Sequence, residues 1–129
     1  MNDVISSDKA PEPVGPYPHA RKVGNLLFLS GVGPRKRGSK DIPDGIEAQC
    51  RSVFENVKNI LEAAGSKWEN LVDVTVFLTN MKRDFETYNR VYKEYFVTNQ
   101  PCRTTVEVTA LPTPISIELK CIATVEENG

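Results

Sequence analysis

Two stretches near the C-terminal end of the chain read as strands that carry a cation, a hydroxyl and a carboxylate. In residues 103–108, Arg103 and Thr105 share a face, and in residues 115–123, Glu118 lies opposite an apolar face, because side chains alternate between the two faces of a strand. If the apolar faces of both strands meet one core, the three polar side chains lie together on the other side of the sheet. The pattern predicts either half of a polar site or an exposed ion pair, which is worth about 0–1 kcal/mol.

Length and composition indicate an ordinary globular domain. The chain has 129 residues, of which 40% are hydrophobic and 26% are charged, and its net charge is −1. A chain of this size buries enough apolar surface to fold without a disulfide or a metal. The small net charge indicates no global attraction to nucleic acid or to a membrane surface. We therefore predict a single domain over residues 1–129.

The N-terminal residues and the cysteines bear on the compartment in which the protein works. The first residues lack the basic region and apolar core of a signal peptide, and no apolar run approaches the length of a membrane span. Cys50, Cys102 and Cys121 are scattered and show no CxxC spacing. This pattern argues against a disulfide framework and for a reducing compartment. The sequence thus predicts a cytoplasmic protein without a membrane partner.

The N-terminal third of the chain predicts an irregular arm followed by a hairpin. Closely spaced prolines in residues 1–18 exclude a helix and disfavour a strand interior. Residues 19–23 and 26–30 are two short β-prone runs separated by Gly24-Asn25, which is typical of a two-residue β-turn.

Helical periodicity predicts the first helix. Apolar residues recur on one helical face from Ile46 to Ala64. Asp44 is a suitable N-cap, and Glu47 three residues later would complete a capping box. Gly65 follows the stripe at the position where a left-handed residue commonly ends a helix.

A strand, a second helix and another strand follow. Residues 71–78 alternate as a strand, and Asp84 is a candidate cap for the helix that precedes the strand at residues 103–108. This order predicts a βαβ unit with parallel strands. The final strand must return antiparallel, and residues 109–114 allow either a wide hairpin or a passage over one strand.

Two amphipathic helices cannot cover both sides of a sheet, so we expect them on one side. The other side would then carry Thr75, Phe77, Thr105 and Glu118. An open face with Phe77 in it hints at self-association.

Short motifs occur along nearly the whole chain in the order and register of a known family. They are GPY at 15–17, VGNLLFLSG at 23–31, NVKNILEAAG at 56–65, VTVFLTN at 74–80, YNRVY at 88–92, PCRTTVEV at 101–108, LP at 111–112 and IE at 117–118. Each piece is unspecific, but together they are specific. The chain resembles the Rid/YjgF family of small enamine/imine deaminases.

The resemblance implies a chorismate-mutase-like α+β fold, with a mixed sheet, two helices packed on one face, and a homotrimer with sites in the clefts between subunits. It also implies that the closing strand lies beside the middle strand, so that residues 109–114 cross over. The implied chemistry is hydrolysis of a 2-enamine or 2-imino acid to the 2-keto acid and ammonia, without a cofactor.

The resemblance further implies three catalytic residues, and their chemistry fits. Arg103 can hold a substrate carboxylate through two parallel hydrogen bonds. Glu118 can position a water molecule and move its proton. Tyr17 is a candidate wall and proton donor, although by itself it would be a packing anchor. Positions that match substrate-binding residues are Ser30, Gly31, Asn89, Thr104 and Thr105. No metal site is predicted, because the chain has one histidine and no ligand spacing.

Two departures from the family pattern resemble its 2-aminomuconate deaminase branch. Residues 15–20 read GPYPHA where many members have GPYSQA, and residues 32–38 read VGPRKRG in place of IPxDPxTG. A 2-aminomuconate substrate has two carboxylates. Arg103 could hold one, and Arg35 or Arg37 the other; the alternative is a solvated basic loop.

Other interpretations stay open at this point. Thr105 stands where many members have cysteine, so the thiol is dispensable or the substrate range differs. Cys102 is interpreted as a half-buried structural cysteine, with a modifiable thiol as the alternative. The protein could instead be an endoribonuclease or RNA-binding translation inhibitor, although no nucleic-acid partner is expected from its charge. It could also be a non-enzymatic trimer that binds small ligands or acts as a chaperone.

Overall fold

A computed structural model describes residues 3–126, which form a six-stranded mixed sheet and two α-helices. The elements are β1 (Val4–Ile5), β2 (Ala20–Val23), β3 (Leu26–Leu29), α1 (Ile46–Ala63), β4 (Leu71–Leu78), α2 (Met81–Tyr95), β5 (Cys102–Glu107) and β6 (Ile117–Thr124), with a 3-10 turn at Trp68–Asn70. The strand order across the sheet is β1-β2-β3-β6-β4-β5. The predicted hairpin is β2–β3, and the arm before it is irregular except for β1, which pairs with β2.

The C-terminal half contains the predicted βαβ unit. Strands β4 and β5 are parallel and are joined by α2. Strand β6 pairs antiparallel with both β3 and β4, so it lies between them and not beside β5. Residues 109–114 therefore pass over β4, which confirms the crossing that the family resemblance favours.

Both helices pack on one face of the sheet, as predicted. The inward residues of the central strands, such as Val76 and Leu119, are fully buried against helix residues such as Val57 and Val91. The opposite face is left open in the described chain. It carries exposed apolar side chains at Leu26, Phe28, Val72 and Val106.

The prediction that Arg103, Thr105 and Glu118 share the open face is wrong for the first two residues. In the register of β4 and β5, Arg103 pairs with the buried Val74, and Thr105 with the buried Val76. Side chains of paired residues point the same way, so both lie on the helix side. The physical reason is that β5 is an edge strand, where α2 offers polar partners and neither face of the strand is fully buried.

The start of α1 also differs from the prediction. Gly45, with φ of 87°, precedes the helix, and no side chain caps it. The N-cap is therefore Gly45 and not Asp44. Glu47 is the second helical residue, and a capping box needs the acidic residue at the third. At the other end, Gly65 has φ of 79° and ends the helix as predicted.

The cap of α2 is Asn80, and the prediction of Asp84 for this role is wrong. Asn80 Oδ1 accepts a hydrogen bond from the Arg83 backbone N–H at 3.0 Å. Asp84 lies in the first turn, where its buried carboxylate pairs with Arg83 Nε at 2.8 Å. The helix starts earlier than expected because the chain leaves β4 directly into its first turn.

Replacing the cap gives a stability prediction. Asn80→Ala is expected to lower the free energy of unfolding by about 1 kcal/mol, because an N–H of the first turn loses its acceptor. Asn80→Asp keeps the acceptor and should cost much less. Urea denaturation of the three proteins measures the effect; equal stability of the alanine and aspartate variants would contradict this role for Asn80.

Candidate functional site

A cavity of about 70 Å³ opens beside Glu118. Glu118 projects from β6 on the open side of the sheet, paired with Phe77 of β4. The chain after β3 and the N-terminal arm form the other walls. Residues that line the cavity are Pro11, Glu12, Pro13, Val14, Tyr17, Pro18, His19, Ser30, Gly31, Val32, Gly33, Arg35, Ile60, Pro112, Thr113, Ile115 and Glu118. The fold thus brings together several residues that the sequence singled out: Tyr17, Ser30, Gly31, Arg35 and Glu118.

The Glu118 carboxyl lies against the backbone of Gly31. A Cβ at Gly31 would stand 2.7 Å from Glu118 Oε2, so glycine permits this approach. Among residues 3–126, no hydrogen bond or ion pair to the Glu118 carboxyl is found. Burial among the apolar walls raises the pKa of Glu118 above its usual value. A carboxyl with a raised pKa and no structural partner is suited to proton transfer.

The arm presents Tyr17 at the mouth of the cavity. Its side chain is half-exposed, and its hydroxyl accepts a hydrogen bond from the Val14 N–H at 3.3 Å. Ser30 Oγ donates to the Pro18 carbonyl at 2.7 Å. The Ser30 hydroxyl therefore anchors the arm, and its oxygen can still accept a hydrogen bond from a ligand.

Arg103 belongs to a different cluster, on the helix side of the sheet. Its guanidinium lies over the rings of Tyr92 and Tyr88, 4.6 Å and 5.4 Å from their centroids. Arg103 Nη1 donates to Asn89 Oδ1 at 2.8 Å, and the hydroxyls of Tyr88 and Thr105 are 2.8 Å apart. Burial raises the pKa of Tyr92 to about 12. The cation is thus held on neutral aromatic rings, and its outer edge stays exposed.

Within one chain, Arg103 and Glu118 face opposite sides of the sheet. The pairing of Arg103 with Val74 places it on the helix side, and the pairing of Glu118 with Phe77 places it on the open side. Thr104 pairs with Thr75 and shares the open side. A single described chain therefore holds two half-sites, one around each charged group, and does not join them.

The basic loop after β3, residues 32–38, is hydrogen-bonded to the N-terminal arm. Arg35 Nη1 donates to the Ser39 carbonyl at 2.8 Å, and Arg35 Nη2 donates to the Glu12 carbonyl. Arg37 Nη1 donates to the carbonyls of Ser7 and Ala10 at 3.0 and 2.8 Å. Arg35 lines the cavity, whereas Arg37 does not. Both guanidinium groups are engaged by backbone atoms.

Two buried polar residues of α1 support the cavity walls and were not singled out in the sequence. Asn56 Nδ2 donates to the carbonyls of Gly33 and Arg35 at 2.9 and 3.1 Å. Gln49 Oε1 accepts a hydrogen bond from the Ser116 N–H at 2.8 Å. The available signal was their position, since both lie beside the apolar helical stripe where a solvated polar residue is not expected.

The cysteines are free thiols with different surroundings. Cys50 and Cys121 are buried, and burial raises the pKa of each thiol to about 12. Cys102 is exposed next to Arg103, so the interpretation of a half-buried structural residue is wrong. It is exposed because it starts an edge strand.

Comparison with known proteins identifies the family. A family model described as Endoribonuclease L-PSP matches residues 7–125. The chain is 41% identical over 123 residues to Reactive Intermediate Deaminase A, chloroplastic, of Arabidopsis thaliana, covering 95% of this chain and 65% of that protein. It is 37% identical over 124 residues to a 2-iminobutanoate/2-iminopropanoate deaminase of Dermatophagoides farinae, covering 95% and 96%.

A solved structure shows the same fold. The crystal structure of the Escherichia coli YjgF gene product superposes with a TM-score of 0.89 at 36% identity, covering 95% of this chain and 98% of that chain.

Within the described residues, neither helix has the length and apolar character needed to cross a membrane. The predicted cytoplasmic location stays a prediction, since one relative is named as chloroplastic. The match over nearly the whole chain, in sequence and in fold, means that the chain belongs to the Rid/YjgF family, whose members include proteins named as deaminases and as endoribonucleases.

Proposed function

We propose that the chain is a cofactor-free deaminase that hydrolyses a reactive 2-enamine or 2-imino acid to the 2-keto acid and ammonia. The observation that carries the proposal is the Glu118 carboxyl, which lies without a structural partner in a partly apolar cavity beside Gly31. Relatives named as imine deaminases support the same chemistry.

The active unit would be a homotrimer in which each site joins two subunits. Arg103 of one subunit would meet Glu118 of the next, because one chain holds these groups on opposite faces of its sheet. The open face supports this assembly, since Phe28 and Val106 leave apolar surface that a second copy can cover.

The reaction follows from the properties of the two half-sites. The Arg103 guanidinium holds the substrate carboxylate, which places the C=N carbon near Glu118. Glu118 takes a proton from water as the water oxygen bonds to that carbon, and the proton passes to the nitrogen. The carbinolamine hydroxyl then gives its proton to Glu118, which passes it to the nitrogen, and ammonia leaves as the C–N bond breaks and the C=O bond forms. An enamine first needs a proton on carbon, which a carboxyl with a raised pKa can donate.

An ammonia-release assay over freshly generated 2-imino acids tests the proposal. The imines should be generated in the cuvette from amino acids, and ammonia should be released faster than by the uncatalysed reaction. No acceleration for any 2-imino or 2-enamine acid would overturn the deaminase proposal.

A single methyl group gives a prediction for the Glu118 half-site. Gly31→Ala is expected to lower kcat/KM by roughly tenfold or more, because the new Cβ displaces Oε2 from its place 2.7 Å away. The melting temperature should hardly change, since a side-chain end can swing aside. Gly33→Ala is the comparison within the same cavity, because its Cβ would meet a movable methyl of Ile115 at 3.1 Å and would not approach Glu118. Equal activity of the two variants would contradict this geometry.

A preference for dicarboxylic substrates such as 2-aminomuconate stays a prediction. Arg35 lines the cavity, which favours a second carboxylate contact, but its guanidinium already binds backbone carbonyls. Arg37 is held on the arm. Turnover of 2-aminomuconate should be compared with that of 2-aminoacrylate; equal or better use of the small monocarboxylate would reject the preference.

Endoribonuclease activity is the second candidate, because the family model carries that description. Engagement of Arg35 and Arg37 by the arm leaves less free positive charge for phosphates, which favours the deaminase. A steep salt dependence of RNA binding would favour the ribonuclease. If the protein is instead a non-enzymatic trimer, any holdase activity should survive in an Arg103→Ala variant, whereas imine hydrolysis by a deaminase should be lost.

A further inference from the structure

The His19 side chain connects two parts of the N-terminal arm to the start of the β2–β3 hairpin. The residue is buried at the start of the hairpin, with 9% of its surface exposed. Its Nδ1 accepts a hydrogen bond from the Ser7 N–H at 2.9 Å, and its Nε2 lies 2.7 Å from the Pro11 carbonyl. A ring nitrogen that accepts from an N–H carries no proton, so the ring is neutral and Nε2–H donates to Pro11.

The hydrogen bond to Pro11 closes a loop that forms one wall of the cavity, and the hydrogen bond from Ser7 holds the segment before that loop. Residues 12–18 leave the hydrogen-bonded Pro11 and return to His19, and the Ser30 hydroxyl fixes the Pro18 carbonyl at the end of the loop. The loop carries Tyr17, which lines the same cavity as Glu118. The imidazole therefore joins the two ends of the wall, beside the contacts that Arg35 and Ser30 make with Glu12 and Pro18.

We propose that His19 is a positioning residue that fixes the Tyr17-bearing wall over Glu118, an inference that rests on the proposed deaminase function. Both ring nitrogens are engaged by backbone atoms of Ser7 and Pro11, so His19, although it lines the cavity, acts through the wall. Loss of this contact frees the loop at its base. Substrate then meets a cavity with one wall displaced.

The decisive comparison is His19→Leu with His19→Gln. Leucine keeps the bulk but neither hydrogen bond, whereas the glutamine amide supplies both an acceptor and a donor. Arg21→Ala is the control, because it breaks a different tether of the arm, the 2.8 Å ion pair with Asp3, away from the cavity. Hydrogen exchange of the Ser7 amide reports the contact, and kcat/KM for a 2-imino acid reports the wall.

The expected result is that His19→Leu exchanges the Ser7 amide about tenfold faster and loses roughly ten- to a hundredfold in kcat/KM. His19→Gln should restore both.

Three results would overturn the proposal: unchanged exchange in His19→Leu, faster exchange with unchanged kcat/KM, or failure of glutamine to restore either. If the wild type hydrolyses no imine, the deaminase function fails separately, and the exchange data decide the His19 contact. Faster exchange in His19→Leu with rescue by glutamine then still supports the contact, and equal exchange refutes it.

Discussion

Arg103→Ala is expected to remove most turnover of 2-imino acids while the protein stays folded. Loss of a hydrogen-bonded charged partner typically costs about 2–5 kcal/mol, and ~1.4 kcal/mol is a tenfold change, so kcat/KM should fall roughly 10²- to 10³-fold. The side chain lies on an exposed edge strand, so stability should change by about 1 kcal/mol or less. Steady-state kinetics and urea denaturation measure the two effects.

Arg90→Ala is the matched control for this variant. Arg90 is an exposed cation on α2 that pairs with Glu47 at 2.8 Å, away from both half-sites. The Arg90→Ala substitution removes the same positive charge as Arg103→Ala and a comparable surface contact. Arg103→Lys should recover part of the activity, since lysine keeps the charge but loses the bidentate geometry. Wild-type kinetics in Arg103→Ala would show that Arg103 does not hold the substrate.

Glu118→Gln should have the second large effect, a loss of roughly 10²- to 10⁴-fold in kcat, which is the usual contribution of a general acid or base. The amide has nearly the same shape but cannot carry the proton. Glu118 takes a proton from water in imine hydrolysis, so wild-type activity should decrease as pH falls. Because burial raises the pKa of Glu118, this decrease should occur above the ordinary glutamate range. That decrease should be absent from the residual activity of the variant.

The same shift predicts how stability depends on pH. A carboxyl whose pKa is raised in the folded state favours folding in its protonated form. Wild-type stability should therefore decline as pH rises from the ordinary glutamate pKa through the raised one. Glu118→Gln should lack this decline and be at least as stable at neutral pH. A large loss of stability in the variant would instead assign Glu118 a structural role.

Alternation and periodicity were sufficient to predict most of the fold. Strand β4 was found because it is a long run with a clear apolar face, and α1 because its stripe ends at a glycine. The face of Arg103 was mispredicted because alternation says which residues point together, not which side of the sheet they point to. An edge strand such as β5 has no fully buried face to decide the question.

The Glu118 half of the candidate site was more accessible to sequence reasoning than the support around it. Gly31 and Tyr17 lie in short motifs, so the resemblance located them. The roles of His19 and Asn56 depend on hydrogen bonds to backbone atoms many residues away. Such contacts leave no periodic pattern, because any residue can supply the backbone partner.

We expect Arg103 and Glu118 to act together across a boundary between subunits. Arg103→Ala and Glu118→Gln chains, each inactive alone, should be mixed in equal amounts, unfolded and refolded together. If each site joins two neighbouring subunits, random assembly restores both groups at about one quarter of the sites, and that share of wild-type activity should return. No recovery in verified mixed oligomers would contradict the account.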